Sequence, residues 1–333
     1  MMKKLCCVFL MLCLLLAGAA LAQEAAGLKQ DVVVLFTSDV HCGVEQGFGY
    51  VGVAAIRDAM EAAGNHVLLV DNGDSIQGEP IGTMTTGSAN VQLMNAVGYD
   101  IAIPGNHEFD YGMARFLELV QEAEFPYISA NFNKQGELVF APYVVKEFDG
   151  VKIAFVGVTT PKTLTSSTPK YFQNEAGEFV YGFMQDETGE TLYAAVQQAV
   201  DSARAEGAAY VVAMTHLGNE AACRPWTYAD VIENTTGIDA LLDGHSHDMD
   251  QVEVLNKDGK KVLRAACGTK LQGVGYLRIG ADGALSSGLY TWDNEVSVPE
   301  LMGLENDVTA AVEAATQTLN EKLAEVVAVS NVD

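Results

Sequence analysis

Short apolar runs alternate with stretches of helical periodicity through the first half of the chain. Runs rich in Val, Leu and Ile that are bounded by polar residues are typical of buried strands. They predict strands at residues 31–38, 66–71, 100–104 and 127–130. Apolar positions spaced by three and four residues predict intervening helices at 51–63, 89–97 and 113–123. This alternation is typical of an α/β protein.

Strands dominate the second half of the pattern. Residues 143–148 and 151–158 predict a hairpin, because the Asp149-Gly150 pair between them suits a two-residue turn. An irregular segment at 161–188 precedes helices predicted at 191–206 and 306–326 and strands predicted at 210–214, 240–242, 251–255, 261–266, 274–279 and 289–292. The order of elements predicts an α/β fold with mixed (α+β) sheets, in which two sheets pack together with helices outside.

The N-terminal residues have the layout of a secretory signal peptide. Lys3 and Lys4 precede the apolar run from Leu5 to Leu16, and a small-x-small cleavage site follows at residues 20–22. An uncleaved membrane anchor is the alternative, which the shortness of the apolar run disfavours. We therefore expect a signal peptide at 1–22, a catalytic domain at 23–300 and a C-terminal helix at 301–333, in an exported protein that is periplasmic or extracellular.

The composition is that of a folded and strongly acidic protein. Hydrophobic residues make up 49% of the chain and charged residues 19%, which excludes a disordered chain. The formal net charge of -25 repels nucleic-acid backbones and anionic membranes. We therefore expect no nucleic-acid partner and no stable membrane insertion. Any phosphate-binding site in this chain needs a local source of positive charge.

Three cysteines remain after residue 22, namely Cys42, Cys223 and Cys267. An odd number excludes a complete disulfide framework, and a bridge between Cys223 and Cys267 is left open. Cys42 lies beside His41, where a nucleophile is one interpretation. A small residue packed near a polar site is the interpretation that we favour.

Chemically active side chains cluster where the predicted strands end. Asp39 and His41 follow the first strand, and Asp74 follows the second. The ends of later strands hold Asn106, His107, His216, His245 and His247. Five of the six histidines lie at these ends, and the sixth, His66, begins a strand and is interpreted as structural. Because α/β proteins place their sites at strand ends, these residues predict one shared site.

These eight side chains supply nitrogen and oxygen ligands of intermediate hardness. Such a set suits Zn, Mn or Fe better than Ca or Mg. Eight candidates are too many for one tetrahedral ion. They fit two divalent ions that share a bridging carboxylate and lie about 3.5–4 Å apart. The sequence therefore predicts two divalent metal ions as cofactors.

Five separated motifs agree in order and type with those of a known family. They are Asp39-x-His41, Gly73-Asp74, Gly105-Asn106-His107-Glu108, His216 and Gly244-His245-Ser246-His247. In these the chain resembles the calcineurin-like metallophosphoesterases, and residues 72–80, 105–112 and 243–247 resemble the 5′-nucleotidase branch. The resemblance runs from about residue 32 to residue 292 and implies a four-layer αββα sandwich.

The resemblance also implies a role for each residue. It assigns Asp39, His41 and His247 to the first ion, Asn106, His216 and His245 to the second, and Asp74 to both. His107 faces the phosphate, where it stabilises charge or protonates the leaving oxygen, and Asp110 orients it. The implied reaction is attack on phosphorus by a metal-activated hydroxide. The positive charge of two divalent ions exceeds the negative charge of Asp39 and Asp74, so the site is locally positive.

The implied substrate is a small phosphate ester, most simply a nucleotide, hydrolysed as by a 5′-nucleotidase or a 2′,3′-cyclic nucleotide phosphodiesterase. Alternatives are hydrolysis of a nucleotide sugar or a sulfur ester, and a weak ligand-binding remnant. The ligand-binding alternative arises because the 5′-nucleotidase branch carries a second, base-binding domain after a helix like the predicted C-terminal one. This sequence stops at Asp333. The glycines at residues 47–52 match a dinucleotide-binding pattern but do not directly follow a strand. The sequence predicts no oligomeric state.

Overall fold

The first of two large sheets is built around the strand that follows the N-terminal segment. The computed structural model describes residues 27–292 and 306–325, and the predicted signal peptide lies outside them. In spatial order the first sheet contains β14 (Leu285–Thr291), β13 (Gly273–Ile279), β1 (Val32–Thr37), β2 (His66–Asp71) and β3 (Ile101–Ala102). The strands β1, β2 and β3 run parallel, so their carboxyl ends meet at one edge. The strands β13 and β14 are antiparallel additions.

The second large sheet places four parallel strands between antiparallel edges. Its spatial order is β11 (Met249–Leu255), β12 (Lys261–Cys267), β10 (Ala240–Asp243), β9 (Tyr210–His216), β7 (Val151–Thr159) and β6 (Tyr143–Phe148). A small third sheet consists of β4 (Asn133–Lys134), β5 (Glu137–Leu138) and β8 (Tyr181–Gly182).

Side chains that alternate along a strand point into different hydrophobic cores. Along β1, Val34 and Phe36 point into a core shared with Phe155 and Met214 of the second sheet. Val33 and the other alternate residues of β1 point into an outer core. Because both faces of each sheet are covered, the strands are apolar almost throughout.

Helices cover the outer faces of both sheets. The first sheet is covered by α1 (Gly49–Ala62), α3 (Ser88–Val97), α4 (Met113–Glu122) and α8 (Asp307–Leu323), with the short α2 (Pro80–Thr85) beside them. The second is covered by α6 (Glu190–Ala205) and α7 (Tyr228–Asn234), and α5 (Thr163–Ser166) lies in a connecting segment. The predicted mixed α/β fold, a four-layer αββα sandwich, is confirmed.

The hairpin predicted at Asp149-Gly150 is present. Both residues have positive φ, 53° and 84°, and Phe148 pairs directly with Val151. This is the turn whose twist matches that of the flanking strands.

Two segments differ from the pattern-based expectation. Residues 127–130 form single bridges, from Tyr127 to Ala102 and from Ile128 to Ala141, and no continuous strand. The side chain of Asn131 turns the chain there, because it donates to the carbonyl of Thr159 and accepts from its N–H. The segment 161–188 contains α5, β8 and a 3-10 turn at Pro169–Phe172, so it is more regular than predicted.

The glycine pair at Gly47 and Gly49 serves a close approach of backbone segments. A Cβ at Gly47 would lie 2.1 Å from the carbonyl oxygen of Leu271, and φ at Gly47 is +55°. The N–H of Phe48 donates to that same oxygen. The glycines therefore let the turn before α1 pack on another loop, and a dinucleotide is not needed to explain them.

The C-terminal helix packs on the sandwich. Asn306 caps α8 with a reciprocal hydrogen-bond pair, and its side chain also donates to the carbonyl of Val51 in α1. Val308 and Val312 are buried against the outer core. None of the described helices is both long enough and apolar enough to cross a bilayer.

Candidate metal centre

Both sheets send the ends of their parallel strands to one location. Asp39, His41, Asp74, Asn106 and His107 follow β1, β2 and β3 of the first sheet. His216, His245 and His247 come from β9 and β10 of the second sheet. The structure thus brings together side chains that are more than two hundred residues apart in sequence, as between Asp39 and His247.

One group consists of Asp39, His41 and His247. One ligand atom from each lies within 4.8 Å of the others. Nε2 of His247 is 3.3 Å from Oδ1 of Asp39 and 3.2 Å from Nε2 of His41. Asp39 is fully buried and also accepts from the N–H of His245. The group has the carboxylate and imidazole composition of a transition-metal site.

A second group consists of Asp74, His216 and His245, again within 4.8 Å of one another. Nε2 of His216 is 3.0 Å from Oδ2 of Asp74 and 3.9 Å from Oδ1 of Asp39. His216 therefore lies between the carboxylates of the two groups. Asn106 adjoins this group, because its neighbour His107 donates its backbone N–H to Oδ1 of Asp74 at 2.7 Å.

Unpaired buried atoms show that this donor set fits divalent ions. Nε2 of His216 makes no hydrogen bond despite its distance to Asp74, and Oδ1 of Asn106 is also buried without a partner. The Nδ1 atoms of His41 and His216 contact the backbone carbonyls of Gln77 and Asn72, at 3.2 and 2.7 Å. Such contacts fix the ring and leave Nε2 free to bind an ion.

Five of the eight candidate residues have left-handed backbone conformations. Their φ angles are 52° at Asp39, 46° at His41, 58° at Asp74, 82° at His245 and 55° at His247. Non-glycine residues reach this region at an energetic cost, and such positions concentrate at functional sites. Backbone hydrogen bonds hold the conformations, from the N–H of Asp39 to Gly73 and from that of His41 to Asp74.

In the second group, the pKa of His216 is raised and that of Asp74 is lowered. Burial lowers the pKa of His216, but the charges of Asp74 and Asp39 outweigh it and raise that pKa to about 10. Burial raises the pKa of Asp74, yet the nearby His216 and His107 bring it well below its ordinary value. A proton on His216 thus neutralises the carboxylates where a bound cation would otherwise do so.

His107 belongs to a separate hydrogen-bonded pair on the rim. Its Nδ1 is 2.6 Å from Oδ2 of Asp110, and Oγ of Ser167 donates to the other oxygen of Asp110 at 2.8 Å. Burial lowers the pKa of His107, but the hydrogen bond to Asp110 and the charge of Asp74 raise it to about 9. About a third of its side chain is exposed, so a ligand can reach the ring.

Comparison with known proteins identifies the family. A family model described as bacterial capsule synthesis protein PGA_cap matches residues 31–263. The chain belongs to this family. The family resemblance that the motifs indicated is confirmed.

Two relatives of the chain are much longer than it is. It is 28% identical over 262 residues to the trifunctional nucleotide phosphoesterase protein YfkN of Bacillus subtilis (strain 168), covering 68% of this chain and 17% of that protein. It is 36% identical over 181 residues to the snake venom 5′-nucleotidase of Gloydius brevicauda, covering 47% of this chain and 30% of that protein. The chain spans less than a third of either relative.

A solved structure has the same fold. The calcineurin-like phosphoesterase YfkN from Bacillus subtilis superposes with a TM-score of 0.70 at 23% identity, covering 89% of this chain and 99% of that chain. The sandwich of this chain therefore has the fold of that calcineurin-like phosphoesterase.

Glu108 supports the candidate centre, and the sequence analysis included it in a motif without giving it a role. It is completely buried and accepts backbone N–H bonds from Asp74, Ser75 and Gly105, at 2.8, 2.8 and 2.6 Å. These bonds tie the loop after β2 to the loop after β3. Its place in the motif Gly105-Asn106-His107-Glu108 was the signal that the sequence offered.

A buried ion pair supports the histidines of the second sheet, and the sequence analysis missed it. Oδ1 of Asp243 accepts from the hydroxyl of Thr215 and the N–H of Leu217, at 2.7 and 3.0 Å. Its Oδ2 accepts from Nη2 of Arg264, which is fully buried and also bonds Asp248. The pair fixes the loops that carry His216 and His245.

Replacing Glu108 with glutamine is expected to lower the free energy of unfolding by about 1–3 kcal/mol. The new amide group turns N–H donors toward buried backbone N–H groups, so at least one of these loses its acceptor. Urea denaturation measures the change. The exposed Glu175→Gln is the matched control and is expected to unfold like the wild type. Equal stability of the two variants would show that Glu108 does not hold the loops.

Proposed function

We propose that the chain is an exported, dinuclear-metal phosphoesterase that hydrolyses phosphate esters of nucleotides. The observation that carries the proposal is the pair of three-residue groups, Asp39–His41–His247 and Asp74–His216–His245, joined through His216 beside His107. The similarity to a nucleotide phosphoesterase and a 5′-nucleotidase supports nucleotides as the substrate class.

We assign Asp39, His41 and His247 to one ion and Asn106, His216 and His245 to the other, with Asp74 contributing to both. Zn, Mn and Fe are the ions that suit these donors. Divalent ions held there would activate water and neutralise charge on a phosphoryl group. They would also supply the positive field that a chain of net charge -25 otherwise lacks.

His107 and Asp110 supply the proton chemistry of the proposed reaction. With a pKa of about 9, the imidazole of His107 is protonated at neutral pH. Its Nδ1 is engaged by Asp110, which leaves the Nε2–H to donate to a phosphoryl or leaving-group oxygen. Ser167 fixes the second oxygen of Asp110, so the carboxylate cannot rotate away.

Product analysis on a substrate panel tests the proposal. The chain from residue 23 onward, loaded with Mn²⁺ or Zn²⁺, is incubated with AMP, 2′,3′-cyclic AMP, a UDP-sugar, p-nitrophenyl phosphate and a sulfur ester. We expect AMP or the cyclic nucleotide to be hydrolysed fastest. The variant His66→Ala is the matched control, because His66 bonds Asp149 far from the candidate centre and its loss should leave turnover unchanged.

Other outcomes would redirect or overturn the proposal. Hydrolysis of p-nitrophenyl phosphate alone would contradict nucleotide specificity while supporting the phosphoesterase chemistry. Preference for the sulfur ester or the UDP-sugar would assign the same centre to that ester. If ions bind and no ester reacts, the chain is a ligand-binding protein and the enzymatic proposal is wrong.

A further inference from the structure

Cys223 is placed differently from the other two thiols of the described chain. All three cysteines are free and buried, so the bridge left open between Cys223 and Cys267 is not formed. Cys42 contacts the carbonyl of Ser75, and Cys267 contacts the hydroxyl of Ser38. Only Cys223, within residues 27–292 and 306–325, places its sulfur against an imidazole, with Sγ 3.5 Å from Nε2 of His245.

A carboxylate completes this group. Glu220 lies one turn before Cys223, in the loop after β9, and one ligand atom from each of Glu220, Cys223 and His245 lies within 4.8 Å of the others. Glu220 is exposed, so solvent reaches the group from its side. In the described part of the chain, no hydrogen bond or ion pair engages the Glu220 carboxylate. That side chain is therefore free to turn toward a ligand.

The spacing of the two innermost atoms fits a bound ion. A tetrahedral ion with a metal–sulfur bond of about 2.3 Å and a metal–nitrogen bond of about 2.0 Å holds these atoms about 3.5 Å apart. That is the separation between Sγ of Cys223 and Nε2 of His245. A thiolate and an imidazole favour soft and borderline cations over Mg or Ca.

We infer that Glu220, Cys223 and His245 form a third cation site, which takes a thiophilic divalent ion such as Cd²⁺ or Zn²⁺. On binding, the S–H bond of Cys223 breaks, its proton leaves to solvent, and the sulfur electron pair forms the bond to the ion. The neutral ring of His245 then carries its one proton on Nδ1, and the electron pair of Nε2 forms the second bond. No electron is transferred. The thiolate and the Glu220 carboxylate together neutralise the ion.

His245 links this third site to the proposed catalytic centre. Its imidazole belongs both to the Cys223 group and to the group of Asp74 and His216. An imidazole with an ion at Nε2 carries its one proton on Nδ1, so it has no free electron pair for a second ion. Occupancy of the third site therefore weakens the hold of His245 on the proposed second catalytic ion, and excess thiophilic metal is inhibitory.

Cadmium titration followed by ultraviolet absorbance tests the site directly. Formation of a sulfur–cadmium bond produces a charge-transfer band, so the readout reports a thiolate ligand and is independent of phosphoesterase activity. The Mn²⁺-loaded chain from residue 23 onward contains only the three buried thiols. We expect one equivalent of the band in the wild type and in the controls Cys42→Ser and Cys267→Ser, and none in Cys223→Ser.

A second variant keeps the test valid if Cys223→Ser does not fold. Because Glu220 is exposed, Glu220→Gln should fold normally and weaken Cd²⁺ binding by about tenfold or more, as loss of metal-supporting residues does. Loss of the band in Cys42→Ser or Cys267→Ser alone, or unchanged affinity in Glu220→Gln, would overturn the inference. If the band depends on Cys223 while no ester is hydrolysed, the third site stands and only the proposed function fails.

Discussion

The substitution Asp74→Asn is expected to remove bound metal and to lower phosphoester hydrolysis by at least about a hundredfold. Replacing a residue that only supports a metal ligand already lowers metal affinity or activity by up to about a hundredfold. Asp74 lies within 3.0 Å of His216 and accepts the backbone N–H of His107, so its charge serves the whole centre. An asparagine keeps the shape and removes the charge. Elemental analysis of the purified variant and its kcat are the two measurements.

The control for this prediction is Asp201→Asn. Asp201 is an exposed aspartate on α6 that accepts a hydrogen bond from Gln197, so the variant should keep the full metal content and activity. An Asp74→Asn protein that retains both ions and wild-type turnover would refute the assignment of Asp74 as the shared ligand.

The substitution His107→Ala is expected to lower kcat by about 10²–10⁴-fold while leaving metal content unchanged. His107 is held by Asp110, contributes a proton in the proposed reaction, and belongs to neither of the three-residue groups. Steady-state kinetics together with elemental analysis separate this role from ion binding. Loss of metal along with activity would instead make His107 a ligand.

The pH profile of the activity is a further test of the role of His107. The acid form of the imidazole is required, so activity should fall as pH rises through its pKa of about 9. The hydrogen bond that His107 donates to Asp110 is the largest factor that raises this pKa. In Asp110→Asn that support is lost, and the alkaline limb should move to lower pH. An unmoved limb would show that another group sets it.

Much of the sandwich was predictable because its strands are buried on both faces. An apolar run such as residues 66–71 cannot be stable in water as an exposed strand, so the pattern alone marks β2. The same reasoning located the candidate centre, since the polar residues Asp39, His41 and Asp74 interrupt the pattern at strand ends. What sequence patterns did not indicate was that β1 pairs with β13, because that partner is more than two hundred residues away.

The supporting residues were less predictable for a different reason. Arg264 lies in the middle of β12, where the pattern predicts an apolar core position, and its burial depends on Asp243 and Asp248. A buried charge is tolerated only when its partners are in place, and those partners come from other elements. Glu108 likewise acts through backbone groups, which leave no trace in residue identities.

The candidate centre lies on the seam between the two sheets. Asp39 and Asp74 extend from the first sheet, and His216 and His247 extend from the second. An ion that binds only the folded chain adds about 2.7 kcal/mol of stability at a concentration a hundredfold above its dissociation constant. Ions bound here would therefore cross-link the two sheets. The mechanical integrity of the sandwich would then depend on the free metal concentration around it, and metal scarcity would loosen this edge first.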